Sequence, residues 1–595
     1  MRNCLWIIIL LIVWIGQWVA SIASPLPTPG TPWWEGWLLV ENLADVVIYQ
    51  ANQQWLCPSR SHSRRRGRHR RGRRGKKRPS RPRAAPTRKN EEETEPEQPS
   101  DGSQGSPCDT VFAPQRWGVS PELSQELPKR LHGFWQRYAA CFKTRTRNTS
   151  EYAYRYLSGL LRLETERNYT NIGRATGVEA ENVQHFMSNS PWPARASLDQ
   201  VVQEIKATPG LERGSVLILD ESADQSGHQK AGAGRQYNGR LGKVEMSQVG
   251  TFLGYANTTQ LTRPMWTWVD GELYLPEHWF TPEMAEARKR VGIPSEHQFQ
   301  TKIEQGWKMI QHVQTQGLPF EAVACDDLYG QSTWLRDKLD GAGIPYIADV
   351  PCTTQVYLEK PVLGVPEPVP GQRGRKPTRL RVLNGVKPLQ AHQVARRADT
   401  YWQRVRVRAI ERGELNDPFA ARRVWTLREG EAEPVQEWLV MRREGKKRTT
   451  YALSNAPADA SLEYLAWLKC QRYFVERAIQ DAKSEVGWDE LQARKYRGWE
   501  HHLALVILAV WFLAQTRWEW AERCARDPTL AQQFELELLP ALSMANIRVL
   551  LRAAMPLPQP TPEEAVSLIV EHFVNRTRSR KSRLKRQRAT SNAPP

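Results

Sequence analysis

Two short, wholly apolar segments each run straight into an aspartate, and that pair limits what the chain can fold into. Residues 216–219 (Val-Leu-Ile-Leu) precede Asp220, and residues 322–325 (Ala-Val-Ala-Cys) precede Asp326. Four apolar residues in a row, too short for a helix, read as strands buried on both faces, as in a sheet covered by helices. Further strands are expected at 244–255, 264–274 and 345–348. Helices are expected at about 301–316, closed by Gly317, and at 332–339, closed by Gly341. These elements make an α/β domain, in which neighbouring strands, parallel or antiparallel, would bring Asp220 and Asp326 together.

Carboxylates mounted at strand ends are rigid, hard oxygen ligands. Phosphoryl transfer by two divalent ions, about 3.5–4 Å apart, needs such converging ligands. A third carboxylate can be sought on a late helix, expected at 461–485. There Arg472 lies four residues before Glu476 and Lys483 seven after it, so the three fall on one helical face. Phe474, Val475, Ala478 and Ile479 form the inward face. Glu476 would complete the ligand set, with Arg472 and Lys483 holding phosphates. The plainer reading of that stripe is a solvated helix face.

Charge separates the folded part from the rest. The 595 residues carry 84 Lys/Arg against 64 Asp/Glu. Residues 60–89 hold 16 of the basic residues and 576–588 another 8, neither stretch with an acid. Without those 24 the chain is close to neutral, so the excess charge sits in two tails that bind polyanions without reading sequence. Solvated tails with no partner are the alternative. The eight cysteines show neither CxxC nor paired His spacing, which argues against a zinc site and a disulfide framework and suits a reducing compartment. His501 and His502 are adjacent, point about 100° apart on a helix, and cannot share one metal.

Residues 1–23 read as a signal-like or anchor-like apolar segment, or as the product of a start assigned too far upstream, although the next methionine is Met187. Residues 24–115 show no hydrophobic period and read as disordered. Residues 120–208 have helical spacing. Within them 169–186 fit a helix-turn-helix with Gly177 at the turn, Ile172, Ala175 and Val178 as its core, and Asn182 and Gln184 on the second helix. An ordinary helical hairpin fits equally well. The catalytic domain is expected at 214–352 and 459–522, interrupted by a β-rich insertion at 353–458. A helical region at 523–574 and a disordered basic tail at 575–595 follow. The apolar run 503–514 is short enough for a buried core helix rather than a membrane span.

Several motifs carry a family resemblance: Leu219-Asp-Glu-Ser, Lys230-Ala-Gly, Arg235-Gln-Tyr-Asn-Gly-Arg-Leu-Gly-Lys, Leu273-Tyr-Leu-Pro-Glu-His-Trp-Phe, Cys325-Asp-Asp-Leu-Tyr-Gly and Gly498-Trp-Glu-His-His. In chain order, over about 130–520, they resemble the DDE transposases of bacterial insertion sequences, closest to the insertion sequence 701 branch. The resemblance implies a ribonuclease-H-like fold, a mixed sheet with flanking helices, with Asp220, Asp326 and Glu476 as catalytic metal ligands. It also implies two Mg²⁺ ions, for which Mn²⁺ substitutes, and no small-molecule cofactor. The partners implied are double-stranded DNA, as transposon ends and as target, and a second copy during synapsis. The wider group has a Tyr-x2-Arg-x3-Glu-x6-Lys signature; here Lys469 stands at the Tyr position. Asp327 stands where Ser is usual, and Asp326 is preferred as the first residue beyond the strand. Lys230, Arg235 and Lys243 are candidate phosphate contacts. Trp425 and Trp438 are candidates for stacking on a flipped base.

The expected activity is therefore cut-and-paste DNA transposition by a cytoplasmic, nucleoid-associated enzyme, with the N-terminal segment as the contrary signal. A catalytically inactive DNA-binding descendant is one alternative, and a membrane-anchored polyanion-binding protein is another.

Overall fold

The computed structural model describes residues 111–260, 263–367, 378–410, 413–429, 433–445, 448–524, 526–536 and 539–591. The expectations for residues 1–110 lie outside the described residues.

Five helices open the described chain: α1 (Pro121–Tyr138), α2 (Ser150–Arg162), α3 (Tyr169–Thr176), α4 (Ala180–Ser188) and α5 (Ala194–Lys206). Four strands follow, β1 (Ser215–Gln225), β2 (Gly234–Asn238), β3 (Lys243–Asn257) and β4 (Met265–Tyr274). After helix α6 (Lys302–Thr315) come strand β5 (Ala322–Cys325), helix α7 (Thr333–Gly341) and strand β6 (Tyr346–Val350). The Thr301 side chain and Glu304 cap α6 reciprocally, which fixes where it starts.

β3 is the antiparallel partner of both β1 and β4, while β1–β5 and β5–β6 are parallel. The order β4-β3-β1-β5-β6, three antiparallel strands followed by two parallel ones with a helix before each, is the ribonuclease-H-like arrangement. Residues 353–458 do not fold apart from it. Strands β7 (Gln403–Ile410), β8 (Gly413–Thr426), β9 (Val435–Glu444) and β10 (Arg448–Ser454) form an antiparallel meander whose last strand pairs with β6. The insertion therefore continues the same sheet to ten strands.

Helices α8 (Leu462–Lys469), α9 (Tyr473–Ser484), α10 (Tyr496–Arg523), α11 (Met544–Ala554) and α12 (Pro562–Ser591) complete the chain. The single helix expected at 461–485 is in fact two, interrupted at Cys470–Arg472, where Cys470 Nα–H donates to Trp467 O and the helix tightens. α9 packs on the sheet through Phe474, Val475 and Ala478, and Gly254 on β3 leaves room for Val475, whose Cγ2 would lie 3.3 Å from a Cβ there. α10 is buried along most of its length by α2, α4, α5 and β4. Its side chains share one apolar cluster with Leu160, Ile172, Phe186, Leu198 and the central strands. The helical segment 120–208 thus shares its core with the sheet and has none of its own. Among the described residues no helix is long and apolar enough to cross a membrane.

Two further expectations change. β1 does not end at Asp220 but runs on to Gln225, because the long β3 pairs with it along its whole length. The basic run 576–588 is not an unstructured tail: α12 passes through it. Arg and Lys are good helix formers, no Gly or Pro interrupts 563–591, and Glu563 and Glu564 at the first turn suit the helix dipole.

Candidate active site

Strand register brings the acids together. Leu219 lies beside Cys325, and Cys325 beside Ala348. The next residue on each strand is therefore Asp220, Asp326 and Asp349, a row of three aspartates across β1, β5 and β6. Asp349 was not singled out from sequence, although Tyr346-Ile-Ala-Asp349 repeats the signal of an apolar run closed by an acid.

Asp220 is 8% exposed. Burial first, then the neighbouring Asp326 charge, push its carboxyl up to about 7. Asp326 Oδ1 accepts from the amides of Leu328 and Tyr329, at 3.1 and 3.4 Å, capping a four-residue turn that starts at Asp327. Burial first, then Glu221, push its carboxyl up to about 6. Asp327 itself is exposed. Glu221, on the opposite face of β1, pairs through Oε1 with Lys302 Nζ at 3.0 Å, while its buried Oε2 has no partner.

Arg472 ties the row to α9. Its guanidinium donates to Glu476 Oε1 at 2.6 Å and to Asp220 Oδ2 at 3.3 Å, and its Nε lies 3.4 Å from Asp349 Oδ2. Lys469 Nζ donates to Asp349 Oδ1 at 2.8 Å. Lys469 therefore supplies the third aspartate of the row with a counter-charge. Lys483 Nζ donates to Asp224 Oδ1 at 2.7 Å. Both cations read from the helical stripe are thus engaged by carboxylates rather than facing open solvent.

Asp220 and Asp326 suit divalent ions: two desolvated carboxylates with raised proton affinity gain most from a cation. Among the described residues no three ligating groups already converge on one point. The Glu476 carboxylate is drawn onto Arg472.

The remaining candidates are distributed as follows. Lys230 is a structural tie and not an open phosphate contact: Nζ donates to Leu491 O at 2.6 Å, and burial lowers its proton affinity. Lys243 is exposed and pairs with Glu245 at 2.9 Å. Arg235 is exposed on β2. Trp438 and Trp425 share the face of Asp220 but lie on β9 and β8. β9 is four strands from β1, a lateral distance of about 19 Å at the usual strand spacing. Trp438 is partly buried, donates to Pro457 O at 3.0 Å and carries Arg423 over its ring. The structure does not bring either ring to the carboxylates. His501 and His502 are buried structural groups, one between Met187 O and Trp192 O, the other between Tyr156 Oη and Trp488 O.

Gly330 holds the turn after Asp326 against β6, since a Cβ there would sit 2.0 Å from Asp349 O. Gly330→Ala is expected to cost about 1–3 kcal/mol, the scale of overpacking, read as a lower midpoint in urea unfolding.

Residues 137–414 match the family described as DDE superfamily endonuclease. The chain is 24% identical over 220 residues to the "Probable transposase for insertion sequence element IS701" of Microchaete diplosiphon, covering 36% of this chain and 51% of that protein. The match therefore spans about half the length of that relative. The chain is similar to DDE transposases near the insertion sequence 701 branch, as its motifs imply.

Proposed function

We propose that this chain is a DNA transposase that cuts at the ends of its element and joins them to target DNA, with Asp220, Asp326 and Glu476 as its metal ligands. The observation that carries this reading is the acid row across β1, β5 and β6, faced by Glu476 from α9, in a chain similar to DDE endonucleases. Asp220 and Asp326 would hold two divalent ions, Mg²⁺ with Mn²⁺ as substitute, and Glu476 would join them on leaving Arg472. Bound there, the ions supply charge stabilisation for the attacking and leaving oxygens of phosphoryl transfer. Arg472 and Lys469 hold the acid row in register through Asp349, and Lys302 restrains Glu221 beside Asp326. Freed from Glu476, Arg472 has donors to offer a phosphate oxygen. The α3–α4 hairpin, turned at Gly177 (φ 71°), exposes Asn182 and Gln184 for contact with DNA. Two DNA ends must be cut in concert, so a homodimer acts at synapsis.

The test is strand cleavage of duplexes taken from the DNA bordering the gene. Nicking at a fixed position that requires Mg²⁺ or Mn²⁺ supports the reading; divalent-independent or absent cleavage overturns it.

The raised carboxyls give a pH signature. Their protonated forms are favoured in the folded state, so without metal their contribution to stability falls as pH rises from about 4 through about 7. Bound cations relieve that loss. The Mg²⁺-dependent rise in melting temperature is expected to be larger at pH 8 than at pH 5.5, and equal shifts would contradict it.

Deleting residues 1–108, which carry the 16-cation run, is expected to leave cleavage intact and flatten the salt dependence of non-specific binding. Binding isotherms at several salt concentrations measure this.

A further inference from the structure

The β2–β3 hairpin runs past the site. From Asp220, β1 continues through Ser222 and Asp224 on one face, opposite Phe252, Gly250 and Gln248 of β3. The same alternation carries that face on to Met246 and Val244, which oppose Arg235 and Tyr237 of β2. The outer part of the hairpin therefore extends the face that bears Asp220. Val244 is eight residues along β3 from Phe252, about 27 Å at strand rise.

What this arm displays is not what a solvated hairpin displays. Tyr237 is 60% exposed, Val244 52% and, at the turn, Leu241 40%. Arg235 and Arg240 flank them, both exposed, with Arg240 also lying 3.3 Å from the Asp489 carboxylate. The single carboxylate in residues 225–247, Glu245, points to the other face and is held by Lys243. The arm is also preformed. Asn238 Nδ2 donates to Ser247 Oγ at 3.1 Å, and Asn238 O accepts from the amides of Leu241 and Gly242. Gly242 takes the left-handed conformation that closes the turn. A rigid, cationic surface with an aromatic and two aliphatic side chains fits a polyanion with apolar faces of its own.

We infer that this hairpin is a DNA arm: it lies along the duplex whose scissile phosphate sits at the acid row. Tyr237, Leu241 and Val244 rest against sugar and base edges, and Arg235 and Arg240 meet the phosphates. At 3.4 Å per base pair, the contact falls about eight base pairs from the scissile phosphate. This inference rests on the transposase reading, because that reading supplies the duplex.

The experiment is a hydroxyl-radical footprint of the full chain on a 60-bp duplex spanning the gene's border, with binding isotherms alongside. Variants are Tyr237→Ser/Val244→Ser and Arg235→Ala/Arg240→Ala, all surface changes checked by melting. The unaltered chain is expected to protect the scissile region and a second patch about eight base pairs away. Both variants are expected to lose the second patch, keep the first, and bind about tenfold more weakly. The arginine pair should also lower the salt slope by about two. If the unaltered chain cleaves the duplex but protects only the scissile region, or the variants keep the whole footprint, the arm is overturned and the transposase reading stands. If the variants instead lose self-association in sedimentation with the footprint unchanged, the hairpin is a subunit contact and the inference fails. No cleavage and no protection by the unaltered chain overturns both.

Discussion

Asp220→Asn and Asp326→Asn are each expected to abolish strand cleavage, by about 10³-fold or more, while making the metal-free protein more stable. The two effects have one cause. Each aspartate is desolvated and faces other acids, so its ionised form is disfavoured in the fold, and on the proposed reading a bound cation would offset that cost. An amide removes the buried charge and with it the ligand. The loss in rate is at or above the upper end of what removing a single electrostatic stabiliser costs. Melting curves without divalent ions should rise in both variants, and the Mg²⁺-dependent shift should shrink. A variant that keeps cleavage within tenfold is not a ligand, and one that loses it by unfolding would show a lowered melting temperature instead.

Arg472→Ala is expected to lower cleavage by about 10²-fold and to enlarge, not remove, the stabilisation by divalent ions. The guanidinium touches Asp220, Glu476 and Asp349, so its loss leaves these three acids, with Asp326 beside Asp220, to repel one another, and only Asp349 keeps a cation, Lys469. The metal-free protein should melt lower, and Mg²⁺ should recover more of the difference than in the parent. Losing one positioned cation from a phosphoryl-transfer site costs about 3 kcal/mol, which sets the rate effect. If the variant instead loses its response to Mg²⁺, Arg472 builds the metal site and the competition between Arg472 and cations for Glu476 is not real.

Much of the central sheet was legible because its signal is local. Residues 216–219 and 322–325 are apolar on both faces, and only a strand covered by helices uses such runs. The inward face of α9 was legible for the same reason, through Phe474, Val475 and Ala478. What the sequence did not reveal depends on pairing between distant strands. That β1 continues past Asp220 follows from the length of β3, and that Asp349 joins the row follows from the register of β6 on β5. The partners of Arg472 and Lys483 are likewise fixed by packing rather than by helical spacing. A helix face shows that Arg472 and Glu476 are neighbours, but not that Asp220 and Asp349 wait opposite. The basic run 576–588 was read from charge alone, whereas its helical propensity and the absence of Gly and Pro determine its conformation in α12.

The claim that Asp220, Asp326 and Glu476 share a divalent site can be tested without any DNA. Fe²⁺ in place of Mg²⁺, with ascorbate and peroxide, generates hydroxyl radicals that cut the polypeptide next to the bound ion. On the proposed reading, cuts are expected near residues 220, 326 and 476, suppressed by excess Mg²⁺ and lost in Asp220→Asn. Cuts confined to other parts of the chain, or the same pattern in Asp220→Asn, would contradict it.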